Sequence, residues 1–94
     1  MSQKIVSGIV DENGNVISGS GFNVAVVGSG QYEVSFNTPF DDAPATVTTV
    51  YRDNGWPQDG SIVWAADQNK VKIVTGSSVG GNMMNRGFSF IFVG

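Results

Sequence analysis

The stretch Gly28-Ser29-Gly30-Gln31-Tyr32-Glu33-Val34-Ser35-Phe36-Asn37-Thr38-Pro39-Phe40 decides the fold, because a glycine-framed turn opens into strict alternation of large apolar and polar side chains. A period of two marks a strand buried on one face, and glycine adopts the positive φ that tight hairpin turns need. On the other side of the turn, Phe22, Val24 and Val26 alternate in the same way and answer Tyr32, Val34 and Phe36. The two runs are expected to pair as an antiparallel hairpin.

The same grammar extends in both directions. Lys4 to Val10 reads as a strand closed by Asp11-Glu12-Asn13-Gly14-Asn15, with Val16 and Ile17 starting its return. The Asn-Gly pair is a hairpin signal in its own right. Pro39, Asp41, Asp42 and Pro44 make a corner, after which Ala45-Thr46-Val47-Thr48-Thr49-Val50-Tyr51 runs as a β-branched strand. Arg52 to Gly60 reads as the longest irregular loop. Ser61 to Ala66 and Val71 to Thr75 flank the turn Asp67-Gln68-Asn69-Lys70, and Trp64, alternating with Ile62, is expected in the core. Gly76 to Arg86 reads as a mobile connection. The last segment, Phe88-Ser89-Phe90-Ile91-Phe92-Val93, is apolar on both faces, as a central or interface strand would be.

No window carries helical periodicity, and turn signals recur roughly every ten residues. The chain is therefore read as all-β, a small antiparallel β-sandwich of about eight short strands, forming a single domain over residues 1–94. With 13 glycines, 40% hydrophobic and only 14% charged residues, it is turn-rich and globular rather than disordered. So few charges leave the surface to Ser, Thr, Asn, Gln and Gly, a composition that fits extracellular or virion β-proteins and oligomers that hide part of their faces.

A net charge of −3 with five scattered basic residues argues against nucleic acid. Without cysteine or histidine there are no disulfides, thiolate metal sites or imidazole bases. No apolar run approaches the ~20 residues of a membrane-spanning helix, so a soluble chain is expected. Met1-Ser2-Gln3-Lys4 lacks the apolar core of a secretory signal, which fits assembly in a host cytosol or excision from a longer secreted parent.

Asp11-Glu12-Asn13-Gly14-Asn15 resembles the first half of a calcium loop, but its twelfth position is Phe22 where a bidentate Glu is required, so it is read as a plain turn. Asp41-Asp42 is read as a corner stabilised by side-chain-to-backbone bonds rather than a cation site. No catalytic residue, metal or cofactor is assigned, and the chain is read as a non-enzyme: any hydrolase here would have to run on carboxylates alone.

The best recognition candidate is the loop contributing Tyr51, Arg52, Asp53, Asn54, Trp56 and Asp59, with Asn85 and Arg86 from a second loop. Aromatic faces cover the C–H patches of a sugar ring while Asp, Asn and Arg bond its hydroxyls, and loops on a rigid sandwich often carry such sites. A purely structural role, with Trp56 capping the open end of the sandwich, is the competing reading. Met83 and Met84 suit an adaptable packed surface.

The opening Ile5-Val6-Ser7-Gly8-Ile9-Val10, the strand Gly30 to Phe36, Pro39-Phe40 with Pro44-Ala45-Thr46-Val47, and the closing Gly87-Phe88-Ser89-Phe90-Ile91-Phe92-Val93-Gly94 together resemble small β-sandwich tips of phage and phage-like tail fibres. In outline the order is also similar to H-type lectin domains. That resemblance implies a homotrimer on a tail fibre or in an extracellular setting, binding a surface glycan or protein receptor through exposed loops. The two-sided apolar last strand separately places Phe88, Phe90 and Phe92 at an oligomer interface. The alternative is a structural trimerisation or capping module.

Overall fold

The computed structural model describes residues 3–51, 59–77 and 82–94. Among these residues nine antiparallel strands form two sheets: β1 (Ile5–Val10), β2 (Val16–Gly19), β3 (Phe22–Gly28), β4 (Gln31–Phe36), β5 (Ala45–Val50), β6 (Asp59–Ala66), β7 (Lys70–Ser77), β8 (Asn82–Met83) and β9 (Phe88–Val93). The first sheet runs β2-β1-β9-β5 and the second β3-β4-β7-β6, with β8 beside β7. No described residue is helical. The all-β sandwich expected from alternation is the fold observed.

The deciding hairpin forms as its pattern demands, with Phe22 opposite Phe36, Val24 opposite Val34 and Val26 opposite Tyr32. Gly30 at its turn has φ +67°, and a Cβ there would lie 2.4 Å from the Thr75 carbonyl oxygen, so both conformation and space require glycine. Gly14 in the first turn has φ +87°. That turn is closed by the Asp11 carboxylate, which accepts the backbone N–H groups of Asn13 and Asn15, both at 2.9 Å, and the Asn15 amide at 3.2 Å. Asp11 is thus consumed by the turn, as the plain-turn reading requires.

All six phenylalanines lie in the core, joined by Tyr32. Edge-to-face contacts link Tyr32 to Phe88 at 5.0 Å, Phe22 to Phe90 at 4.9 Å and Phe36 to Phe40 at 4.8 Å, while Phe90 and Phe92 stack at 4.4 Å. Rings spaced two apart along one strand must share a face. Phe88, Phe90 and Phe92 are 0%, 3% and 0% exposed. Their assignment to an oligomer interface is therefore corrected: these rings fill the chain's own interior and offer no surface to a second copy. The outward residues of β9 are Ser89, Ile91 and Val93, of which Ile91 is half exposed.

Trp64 corrects the sequence reading in the opposite sense, being 60% exposed instead of core. In β6 the inward residues are Ser61, which meets Thr48 of β5, and Val63, which packs against the core, and the pairing with β7 slips between Val63 and Ala65. Trp64 is the extra residue of that bulge. Thr48 Oγ1 donates to the Ser89 carbonyl at 3.1 Å, so the Ser61 hydroxyl donates across the 3.2 Å gap to Thr48 and ties the two sheets along this side. Strand β6 also begins at Asp59, two residues earlier than expected, and Gly76, Ser77, Asn82 and Met83 of the supposed connection belong to strands.

Candidate functional site

The sandwich gathers its loops at two ends. At one end lie the β1–β2 turn, the β3–β4 turn, Tyr51, the start of β6 and residues 84–87. This grouping follows from register: Val10 and Val50 both stand opposite Phe88, and Asp59 stands opposite Ser77. Tyr51, Asp59, Asn85 and Arg86, drawn from two loops far apart in sequence, are thus brought to the same end. Arg52, Asp53, Asn54 and Trp56 lie outside the described residues.

What the described four do there is largely internal. Arg86 Nε donates to Asp59 Oδ2 at 2.8 Å, with the two side chains 15% and 1% exposed. Arg86 also donates to the Asn85 carbonyl at 2.9 Å and approaches the Met84 sulfur at 3.9 Å. A carboxylate buried this deeply needs its cation, since an isolated buried charge is costly. Asn85 Oδ1 accepts the Gly30 N–H at 2.6 Å, and the Tyr51 N–H donates to the Gly87 carbonyl at 2.8 Å. Tyr51 keeps its ring about half exposed.

Beneath this lattice, β8 takes the flank of β7 that β4 leaves at Gly30. The Thr75 N–H donates to the Gly30 carbonyl at 2.8 Å, and the buried Thr75 hydroxyl donates to the Met84 carbonyl at 2.7 Å. The Tyr32 hydroxyl donates to the Glu12 carbonyl at 2.6 Å, joining the deciding strand to the first turn. Burial pushes the Tyr32 phenol above its usual range; bonds from the Arg86 backbone and the Thr75 side chain lower it, and the Glu12 and Asp11 charges raise it again. The Asp11 carboxyl sits below its ordinary value, because the bonds from Asn15, Asn13 and Gly14 outweigh the upward push of desolvation.

The opposite end is closed. Phe40 plugs it against Phe36, its N–H donating to the Gln68 carbonyl at 2.9 Å, and the Lys4 ammonium donates to the Thr38 carbonyl while lying 4.7 Å from the Phe40 ring centre. Asp67 binds the Asn69 and Lys70 N–H groups at 2.8 and 2.9 Å, bonds that hold its carboxyl below the ordinary value.

The outward faces differ in chemistry. The face of β1, β9 and β5 exposes Ile5, Val47 and Ile91 around a shallow groove of about 400 Å³ floored by Ser7, Thr49 and Ser89. The face of β4 and β7 carries Glu33, Lys70 and Lys72. Among the described residues, no three His, Cys, Asp or Glu side chains are grouped to hold a metal ion, and no helix is long and apolar enough to cross a membrane.

No family model matches the chain. No curated protein matches it either. Among solved structures, the fold is similar to an N-truncated R1-type pyocin tail fibre, with a TM-score of 0.53 and 16% sequence identity, over 98% of this chain and 69% of that one.

Proposed function

We propose that the chain is a non-catalytic binding module at the tip of a phage-like tail fibre, assembled as a homotrimer and recognising a cell-surface glycan or protein receptor in lectin-like fashion. The observation that carries this reading is the likeness of fold, over nearly the whole chain, to a pyocin tail fibre. The contact loops in this reading are those of Tyr51, Arg52, Asp53, Asn54, Trp56 and Asp59, with Asn85 and Arg86 beside them. Asp59 and Arg86 form the ion pair that shapes the loop base, and Tyr51 and Trp56 supply aromatic faces. The surface buried between copies is the uncharged face with Ile5, Val47 and Ile91, since a patch free of charge avoids repulsion between chains of net charge −3.

One observation favours the structural alternative, a trimerisation or capping module: Asp59 and Arg86 pair with each other and Asn85 Oδ1 accepts the Gly30 N–H within the chain. Light scattering on the wild type and on Ile91→Asp, with a glycan array on the same samples, separates these readings. A trimeric mass that falls to a folded monomer in Ile91→Asp, and glycan binding lost in a still trimeric Trp56→Ala, are the expected results. A trimer that binds nothing leaves the capping role; a wild-type monomer removes the assembly.

A further inference from the structure

The bulge in β6 creates a second place where a ligand could be held. Its two residues, Trp64 and Ala65, occupy the register opposite Lys72 alone, where an unbroken ladder would have one. Beside them is a dimple of 160 Å³ lined by Glu33, Ala65, Ala66, Asp67, Lys70 and Lys72. Ala65 and Ala66 give it a floor without bulk. Trp64, 60% exposed, immediately precedes the lining residue Ala65 in the bulge, on the sheet opposite the uncharged face.

Neither element has a sufficient structural explanation. A bulge on an edge strand protects against edge-to-edge pairing, but the residues suited to that task are charged or proline, and an exposed indole works against it. The charges in the dimple are unequally engaged. Asp67 is committed to the backbone N–H groups of Asn69 and Lys70, and Glu33 lies 3.7 Å from the Lys70 ammonium. The Lys72 ammonium group makes no hydrogen bond or ion pair among the described residues.

We propose that Trp64 and Lys72 form a subsite for one pyranose ring bearing a carboxylate, a uronic acid residue of an acidic glycan. The indole face covers the apolar C–H patch of the ring, as aromatic surfaces do for amphipathic ligands. The Lys72 ammonium takes the carboxylate, and Glu33 accepts from a ring hydroxyl. The size fits one unit: 160 Å³ is about half the ~300 Å³ at which pockets for drug-sized ligands begin. The proposal rests on the reading of the chain as a glycan-binding module and assigns that binding a site apart from the Trp56 loop.

The chain has two tryptophans, so a proton–nitrogen correlation spectrum shows two indole N–H signals, assigned by Trp64→Phe. Titration uses trigalacturonate, maltotriose as its uncharged counterpart, and acetate as the bare anion. Trigalacturonate is expected to move the Trp64 indole and the Lys72 amide saturably, with maltotriose roughly fivefold weaker, the worth of one exposed charge contact. Lys72→Ala brings trigalacturonate down to the maltotriose level, and Trp64→Ala, followed at the Lys72 amide, weakens it roughly tenfold. Movement of the Trp56 signal alone overturns this subsite while leaving glycan binding standing. An equal response to acetate overturns it as simple anion attraction. Two unmoved indoles in a protein that also binds nothing on the glycan array remove both the subsite and the reading beneath it.

Discussion

Strands β9 and β6 start from similar raw material, apolar residues at alternate positions, and end in opposite roles. Strand β9 is central, paired in unbroken register with β1 on one side and β5 on the other, so Phe88, Phe90 and Phe92 all point into the core. Strand β6 is an edge strand whose register slips once, and its outward face carries both Ile62, ahead of the slip, and Trp64, at it. Parity along a strand assigns faces only while pairing is continuous, because a one-residue shift exchanges the two faces.

The largest expected effect tests the β9 side. Phe90 touches Phe22, Phe88 and Phe92, and Phe90→Ala removes a ring from the middle of the core, costing about 3–5 kcal/mol. That is a large share of the ~5–15 kcal/mol that holds a domain of this kind together. Chemical denaturation reads it directly. A loss below about 1 kcal/mol would mean that the ring is not core, and the interface assignment for β9 would have to return.

The contrast also shows how far the residues could be read. Alternation in Phe22–Val26, Gln31–Phe36 and Ala45–Val50 fixes faces and pairing, since each face meets a different solvent. The hairpin at Gly30 is equally legible. Two-sided apolar character in Phe88 to Val93 is correctly a sign of a central strand, but the face of Ser89, Ile91 and Val93 looks outward, so it did not distinguish a covered sheet from an interface. Trp64 was illegible because alternation puts it on the face of Ile62 but does not say which face of β6 is covered, and the covered one is that of Ser61 and Val63. The loop residues were singled out by composition alone, whereas the pairing of Arg86 with Asp59, 27 residues away, is a product of topology.

Next in size is the start of β6, where regular pairing depends on a charge. Arg86→Ala leaves a carboxylate that is 1% exposed without its guanidinium, and a cost of about 3 kcal/mol is expected. Arg86→Lys recovers only part of it, because an ammonium lacks the planar fork. The companion Asp59→Asn should cost less, since it removes the buried charge together with its need. Equal losses for the two would indicate that packing rather than charge holds this corner.

A smaller effect appears at alkaline pH, where Tyr32 couples the β9 core to the loops through Phe88 and Glu12. Its folded-state pKa is raised, chiefly by burial. The unfolded phenol therefore loses its proton first, and the stability it confers is complete below about pH 10 and declines as pH rises toward the folded value. Tyr32→Phe should be less stable near neutrality, through the lost bond to Glu12, yet flatter above pH 10. A parent curve as flat as that of the variant would show that the phenol titrates alike in both states.

The smallest change in stability is expected where the sequence pattern promised a core residue. Trp64→Ala removes the largest side chain in β6 from a position 60% exposed, so unfolding free energy should move by no more than about 0.5 kcal/mol. Deleting Trp64 altogether is a different experiment, because it closes the bulge and makes the pairing with β7 continuous, Ala65 staying opposite Lys72 and Ala66 opposite Val71. A neutral Trp64→Ala beside a destabilised deletion would show that the chain needs the extra residue for register but not the indole for packing. That leaves recognition as the reason for an aromatic ring at this edge, in contrast to β9, where every ring is accounted for by the core. A loss above about 1 kcal/mol in Trp64→Ala would instead place β6 and β9 under the same rule.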